Sequence, residues 1–233
     1  MRGLPVTWRK INFNQSKKPD SYYNPLENLI RGTVEFRKTD FEQHKALFMQ
    51  ISEAQFPHTL FIGCSDSRVV PNFITKTLPG EIFVIRNVAN IVPVYQAAGD
   101  FLGITSAIEY AVQGLNVDNI VVCGHSNCGG CAALFKSAEE LSHLPHTKKW
   151  LELSKTVKEK VLNILPGDSD SEAREWLTEQ MNVVEQLRHL LTYPYIETRY
   201  REGTLKLIGW HYIIETGEIF GYNEEKGFFE LVN

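Results

Sequence analysis

Two rhythms of apolar and polar residues run along this chain. Between residues 25 and 55, Leu26, Leu29, Ile30, Val34, Phe36, Phe41, Leu47, Phe48 and Ile51 recur at helical spacing and predict two helices broken around Lys38–Asp40. From residue 59 onward, short apolar runs of strand type alternate with amphipathic stretches, the pattern of a parallel sheet with helical crossovers. Strands are predicted up to Cys64, over Glu81–Arg86 and over Asp118–Cys123. A connection through Pro71–Leu78, turned by Pro79-Gly80, links the first two. Phe101, Ile104, Ile108, Ala111, Val112 and Leu115 place a crossover helix over Gly99–Leu115 with Asp100 as its cap, and Cys128–Phe135 opens another helix.

Beyond Ser137 the pattern is helical. Trp150, Leu153, Val157, Val161 and Leu165 form one stripe, closed by Pro166-Gly167. A second helix starts at Ser171, with Trp176, Leu177, Val184, Leu187 and Leu191 as its predicted buried face, and Pro194 begins a short third helix that Gly203 ends. Core packing is the ordinary explanation for such Trp and Met positions. Thr204–Tyr212 is a strand that Thr216-Gly217 turns into Glu218–Tyr222 as a hairpin. The expected fold class is therefore α/β. A single domain over residues 25–233 has a mostly parallel central sheet flanked by helices, with helices at its N-terminal end and a strand hairpin at the sheet edge.

Composition acts mainly by exclusion. At 233 residues the chain can bury one core, and 43% hydrophobic with 22% charged residues is ordinary for a globular protein. A net charge of −4 gives no reason to expect nucleic acid or an acidic membrane as partner. No apolar run approaches the ~18 residues of a membrane span, and no secretion signal is evident, so a cytoplasmic, reducing setting is expected. Residues 1–24 carry Arg2, Arg9, Lys10, Lys17 and Lys18 against Asp20 and read as a loosely held basic arm, with a targeting peptide as the alternative. Four cysteines are too few for a disulfide framework, and the clustering of Cys123, Cys128 and Cys131 points to metal or thiol chemistry.

The candidate chemistry sits where two apolar runs stop at a glycine. Gly63 is followed by Cys64, and Gly124 by His125. If the two strands are parallel neighbours, their ends bring Cys64, Asp66 and Arg68 beside His125 and Cys128, in the crevice where open α/β sheets bind ligands. Two thiolates and one imidazole suit Zn²⁺ with one open position, the layout of a catalytic zinc. Arg68 can hold Asp66 by a two-pronged hydrogen bond, and a freed Asp66 can reach the metal and close the site. Gly124-x4-Gly129-Gly130 has phosphate-loop spacing, but Gly130 and Cys131 stand where that loop needs Lys and Ser/Thr. Two alternatives stay open: a Cys128/Cys131 redox dithiol, and a structural zinc with Cys123 or Cys131 as fourth ligand. A non-catalytic zinc or thiol module for sensing or assembly is the corresponding alternative function.

Taken together, Cys64-Ser-Asp-Ser-Arg68, Pro79-Gly80-Glu81 with Arg86-Asn87, Glu109-Tyr110-Ala111 and His125-Ser-Asn-Cys128-Gly-Gly130 resemble the β class of carbonic anhydrases, in family order and over about Leu26 to Leu231. The resemblance implies Cys64, His125 and Cys128 as zinc ligands, Asp66 with Arg68 as a catalytic dyad, and Asp66 as a fourth ligand only in a closed state. It also implies reversible hydration of carbon dioxide to bicarbonate through zinc-bound hydroxide. Gln55, Phe83, Val88, Tyr110 and Gly129 match substrate-pocket positions. The family active site lies at a dimer interface embraced by an N-terminal helical arm, many members pair dimers into tetramers, and a few relatives act on carbon disulfide or carbonyl sulfide. One departure concerns the subclass closed by bicarbonate at a secondary site. That subclass has a tryptophan three residues before the first cysteine; this chain has Phe61 there, although Arg86 and Tyr212 match the other members of that site. The expectation is accordingly an open site.

Overall fold

The computed structural model describes residues 24–97, 101–167 and 171–232, in two compact units that divide between Ser52 and Glu53. The expected basic arm, apart from Asn24, and the Asp100 cap lie outside the described residues. In the first unit, Asn24 accepts the N–H groups of Leu26 and Glu27 and so starts α1 (Pro25–Lys38). The predicted break follows at Thr39, and a second one at His44 separates α2 (Asp40–Gln43) from α3 (Lys45–Gln50). The rings of Phe36, Phe41 and Phe48 pack on one another across these breaks.

The second unit is built on strands that are apolar along most of their length. Its elements are β1 (Thr59–Cys64), α4 (Pro71–Thr75), β2 (Ile82–Asn87), α5 (Leu102–Glu109), β3 (Asn119–His125), α6 (Gly129–Ala133), α7 (Pro145–Leu151), α8 (Lys155–Ile164), α9 (Ser171–Leu190), α10 (Pro194–Arg201), β4 (Lys206–Tyr212), β5 (Ile219–Asn223) and β6 (Phe228–Leu231). The sheet order is β2-β1-β3-β4-β5-β6, parallel through β4 and antiparallel beyond it. All of β1, and all of β3 except Asn119, is buried, as expected where helices cover both faces of parallel strands. One face packs Leu60, Ile62, Ile120 and Val122 against Ile108, Val112, Val183 and Leu190; Phe61, Val121 and Cys123 form a smaller cluster on the other.

The fold class agrees with the sequence expectation, and three elements differ from it in detail. Pro71–Thr75 is helical, β6 extends the C-terminal hairpin by a strand, and α5 closes in a π-helical turn over Tyr110–Gly114.

The largest correction concerns α9. Trp176 is 41% exposed and Leu177, Val184, Leu187 and Leu191 are only partly buried, while Thr178, Glu179, Asn182, Val183, Glu185, Gln186, His189 and Leu190 face inward. Glycines on the sheet cause this. A Cβ on Gly124 or Gly209 would stand 2.7 or 2.9 Å from a Val183 methyl, so α9 lies nearly on the strand backbone. At that distance its polar side chains reach neighbouring main chain. Asn182 Nδ2 donates to Ala89 O (2.8 Å), Gln186 Oε1 accepts from Val92 N (2.8 Å), and His189 Nδ1 donates to Val92 O (2.6 Å). Among the described residues no helix is long and apolar enough to cross a membrane.

Candidate metal centre

Strand order reverses at β1, which has β2 on one side and β3 on the other, and the carboxyl ends of strands at such a reversal are where open α/β sheets bind ligands. Cys64 is the last residue of β1 and His125 the last of β3. Asn127 then takes a left-handed conformation (φ 56°), and Cys128 follows as the N-cap of α6. One donor atom from each of Cys64, His125 and Cys128 lies within 4.8 Å of the others, and all three residues are buried. Among the described residues no other group of His, Cys, Asp and Glu is arranged this way.

The donors suit a zinc ion. The two sulfurs are 4.0 Å apart, and sulfurs about 2.3 Å from a tetrahedral ion would be about 3.8 Å apart. His125 Nδ1 lies 2.9 Å from Ser126 O, and because a carbonyl only accepts, the proton is on Nδ1. Nε2 is left as a bare lone pair, wholly buried and without a hydrogen-bond partner. Such an atom is costly to bury unless it coordinates something. The thiols' own neighbours favour their protonated forms: a hydrogen bond to Cys128, then burial, push Cys64 up to about 12, and Cys128 is raised first through its hydrogen bond with Cys131. A divalent cation offsets that preference, since thiolate is the form that ligates.

Beside the donors, Arg68 holds Asp66 with Nε on Oδ1 (2.9 Å) and Nη2 on Oδ2 (2.7 Å), while the Arg68 N–H also donates to Oδ1 (3.0 Å). These bonds keep the Asp66 carboxyl well below the usual carboxylate range, so it is ionised at neutral pH. Its Oδ2 stands 4.0 Å from His125 Nε2, outside hydrogen-bond range. Arg68 Nη2 further donates to Asn127 O (2.9 Å), tying the dyad to the loop between His125 and Cys128.

The residues expected from the sequence to line a pocket divide. Val88 directly follows Asn87, which pairs with Cys64, and Gly129 directly follows Cys128 with open space around it. Phe83 pairs with Leu60, four strand steps, about 13 Å, from the level of Cys64, and Tyr110 packs on Phe83 with ring centres 6.0 Å apart. Gln55 precedes β1, in the exposed segment that leads into the strand end opposite Cys64. Of the other cysteines, Cys123 points to the opposite sheet face with Phe61 and Val121, and Cys131 packs beside Cys128 without joining the donor set.

Three residues near the centre are absent from the sequence reading in the parts they play here. Arg86 donates to Cys64 O (2.9 Å) and Asp66 O (2.6 Å), Asn127 O receives Arg68, and Glu179 accepts the Cys128 N–H (2.8 Å). Asn127 carries a sequence signal, since asparagine tolerates the left-handed region. Glu179 carries none, standing among other acids on a helix whose polar residues read as solvated.

Comparison with known proteins bears on the whole arrangement. The family profile described as Carbonic anhydrase matches residues 59–219, which include every donor and both members of the dyad. A carbonic anhydrase of Helicobacter pylori (strain J99) is 41% identical over 203 residues, covering 86% of this chain and 92% of that protein. Among solved structures, the β-carbonic anhydrase CcaA superposes with a TM-score of 0.85 at 39% identity, over 90% of this chain and all of that one. A Coccomyxa β-carbonic anhydrase solved with acetazolamide gives 0.74 at 29% identity, over 84% and 86%. The match to the family profile runs through both strand ends and the loops that carry the buried donors, and this chain belongs to the β class of carbonic anhydrases, enzymes whose family reaction is the hydration of carbon dioxide.

Proposed function

We propose that this chain catalyses the reversible hydration of carbon dioxide to bicarbonate and a proton, with zinc held by Cys64, His125 and Cys128. The observation that carries the reading is the bare, buried His125 Nε2, facing two sulfurs and a carboxylate that Arg68 has already fixed. When bound, zinc makes a water acidic enough to supply a nucleophile near neutral pH. Asp66, held ionised by Arg68, would accept a hydrogen bond from the attacking water through Oδ2 and so orient it toward carbon dioxide. Arg68 keeps the carboxylate ionised and, anchored to Asn127 O, prevents it from swinging to the metal and closing the site. That arrangement favours the open state.

Val88 supplies an apolar wall beside the donors. Phe83, with Tyr110 packed on it, stands about 13 Å along the strands from Cys64, which supports a second copy contributing these two and Gln55 to the pocket and hence a homodimer as the working unit. Pairing of dimers has a parallel in the tetrameric β-carbonic anhydrases of Sordaria macrospora, one of which superposes at a TM-score of 0.74 with 31% identity. Four unpaired cysteines suit the reducing cytoplasm, where we place the enzyme. Stopped-flow carbon dioxide hydration with an indicator dye, together with zinc analysis of the same sample, tests the proposal. The expected result is rapid hydration with about one zinc per chain; full zinc content without hydration would instead indicate a sensing or assembly module.

A further inference from the structure

Behind the donor set, α9 places a carboxylate where it satisfies nothing in its own helix. Glu179 is 2% exposed; its Oε1 accepts the Cys128 N–H at 2.8 Å and its Oε2 pairs with His211 Nε2 at 3.0 Å. His211, fully buried, lies opposite Gly124 in the β3–β4 register, with the Trp176 ring edge-on at 4.8 Å. A buried carboxylate is tolerated only when both oxygens are engaged. Here one engagement is structural and the other falls on the main chain of a metal donor.

That donor needs holding. Cys128 follows left-handed Asn127 and precedes Gly129-Gly130, so the chain on either side is conformationally permissive. Its carbonyl is fixed by Ala132 N (3.0 Å), and its N–H by Glu179. Resting on the reading of Cys64, His125 and Cys128 as zinc ligands, we propose that Glu179, oriented by His211, is a positioning residue of the metal centre. It fixes the Cys128 peptide and thereby the direction from which the Cys128 sulfur meets the ion.

The test compares wild type, Glu179→Ala and Glu179→Gln. Zinc affinity is measured by competition with a chromogenic chelator, the visible spectrum is recorded after cobalt loading, and the melting temperature of each metal-free protein is taken alongside. Glutamine keeps an oxygen for the Cys128 N–H, whereas alanine keeps none. Glu179→Ala is expected to bind zinc about 10–100-fold more weakly and to move the cobalt bands. Glu179→Gln should stay close to wild type in both, even if its metal-free form melts lower. Wild-type zinc affinity and cobalt bands in Glu179→Ala overturn the proposal. So does an equal loss in both variants, which would assign the effect to charge or packing. If Glu179→Ala does not fold, amide exchange at Cys128 decides: slow exchange in wild type and Glu179→Gln supports the hydrogen bond, and fast exchange in either overturns it. A wild type that takes up no zinc defeats the ligand reading itself, an outcome distinct from any difference among the variants.

Discussion

Cys64 and Cys128 ligate only as thiolates, and their surroundings oppose that form. Cys64 is pushed up to about 12 by its hydrogen bond to Cys128 and by burial, and Cys128 is raised too. Both therefore carry protons across the neutral range, and each zinc that binds must displace them. Falling pH should weaken zinc binding by as much as about a hundredfold per pH unit, with chelator competition at pH 6, 7 and 8 as the measurement; an affinity that ignores pH would remove the thiols from the ligand set. Asp66 behaves in the opposite sense. Arg68 depresses its pKa, so the pair's contribution to stability is present in full above the unfolded carboxylate value of about 4 and is lost as pH falls below it. At neutral pH, Asp66→Asn should keep its zinc and lower hydration severalfold or more, since the amide cannot accept the same hydrogen bond in both positions. Cys64→Ser should lose metal and activity together. An Asp66→Asn enzyme with an unchanged rate would take Asp66 out of the mechanism.

At the scale of elements, α9 and the turn after β2 act as one device. Ala89 and Asn90 both have positive φ (61° and 46°), a strained pair for residues with side chains, and Asn182 meets the Ala89 carbonyl while Gln186 and His189 bind Val92. Asn182→Leu leaves the Ala89 carbonyl and the Ser154 hydroxyl without this partner, and should cost about 2–4 kcal/mol in urea unfolding. Gly130→Ala tests the other side of the same turn. Its Cβ would sit 2.8 Å from Ala89 Cβ and 3.0 Å from Ala89 N, and the resulting overpacking should cost about 1–3 kcal/mol and disturb Val88. The helix register that brings these groups together is not legible in the sequence, because the apolar positions Trp176, Leu177 and Val184 mark a different face. What turns the helix is Gly124 and Gly209, on strands remote in sequence, together with main-chain groups that only the assembled fold presents. The strands are legible for the converse reason. β1 and β3 are self-contained apolar runs that stop at a glycine, and the donors Cys64 and His125 stand at those ends. The ligand cluster thus follows from pattern and topology, whereas the polar support beneath it does not.

At the scale of the whole molecule, the candidate metal donors and two of the expected pocket residues, Phe83 and Tyr110, lie apart within one chain. Phe83 and Tyr110 pack together well down the sheet from Cys64, and Tyr110 is 52% exposed, a large aromatic surface left uncovered in the single chain. Resemblance in the sequence assigns Gln55, Phe83 and Tyr110 to a pocket with Cys64 at a dimer interface, and the separation of Phe83 from Cys64 along the sheet supports the proposal that they serve a site on another copy. Subunit complementation separates the two arrangements. Cys64→Ser removes the metal from its own donor set but leaves an intact Gln55, and Gln55→Leu leaves the donors intact but removes the pocket amide. Each variant alone should be impaired, Cys64→Ser to background. Unfolded together and refolded as a mixture, half of the dimers would be mixed, and each mixed dimer would pair the intact donors of one chain with the intact Gln55 of the other in one of its two sites. Stopped-flow hydration should then recover to about a quarter of the wild-type rate. If Gln55 served its own chain, mixing would return only the average of the two separate variants, and co-purification of the untagged variant with an affinity-tagged partner variant shows whether the mixed dimers had formed.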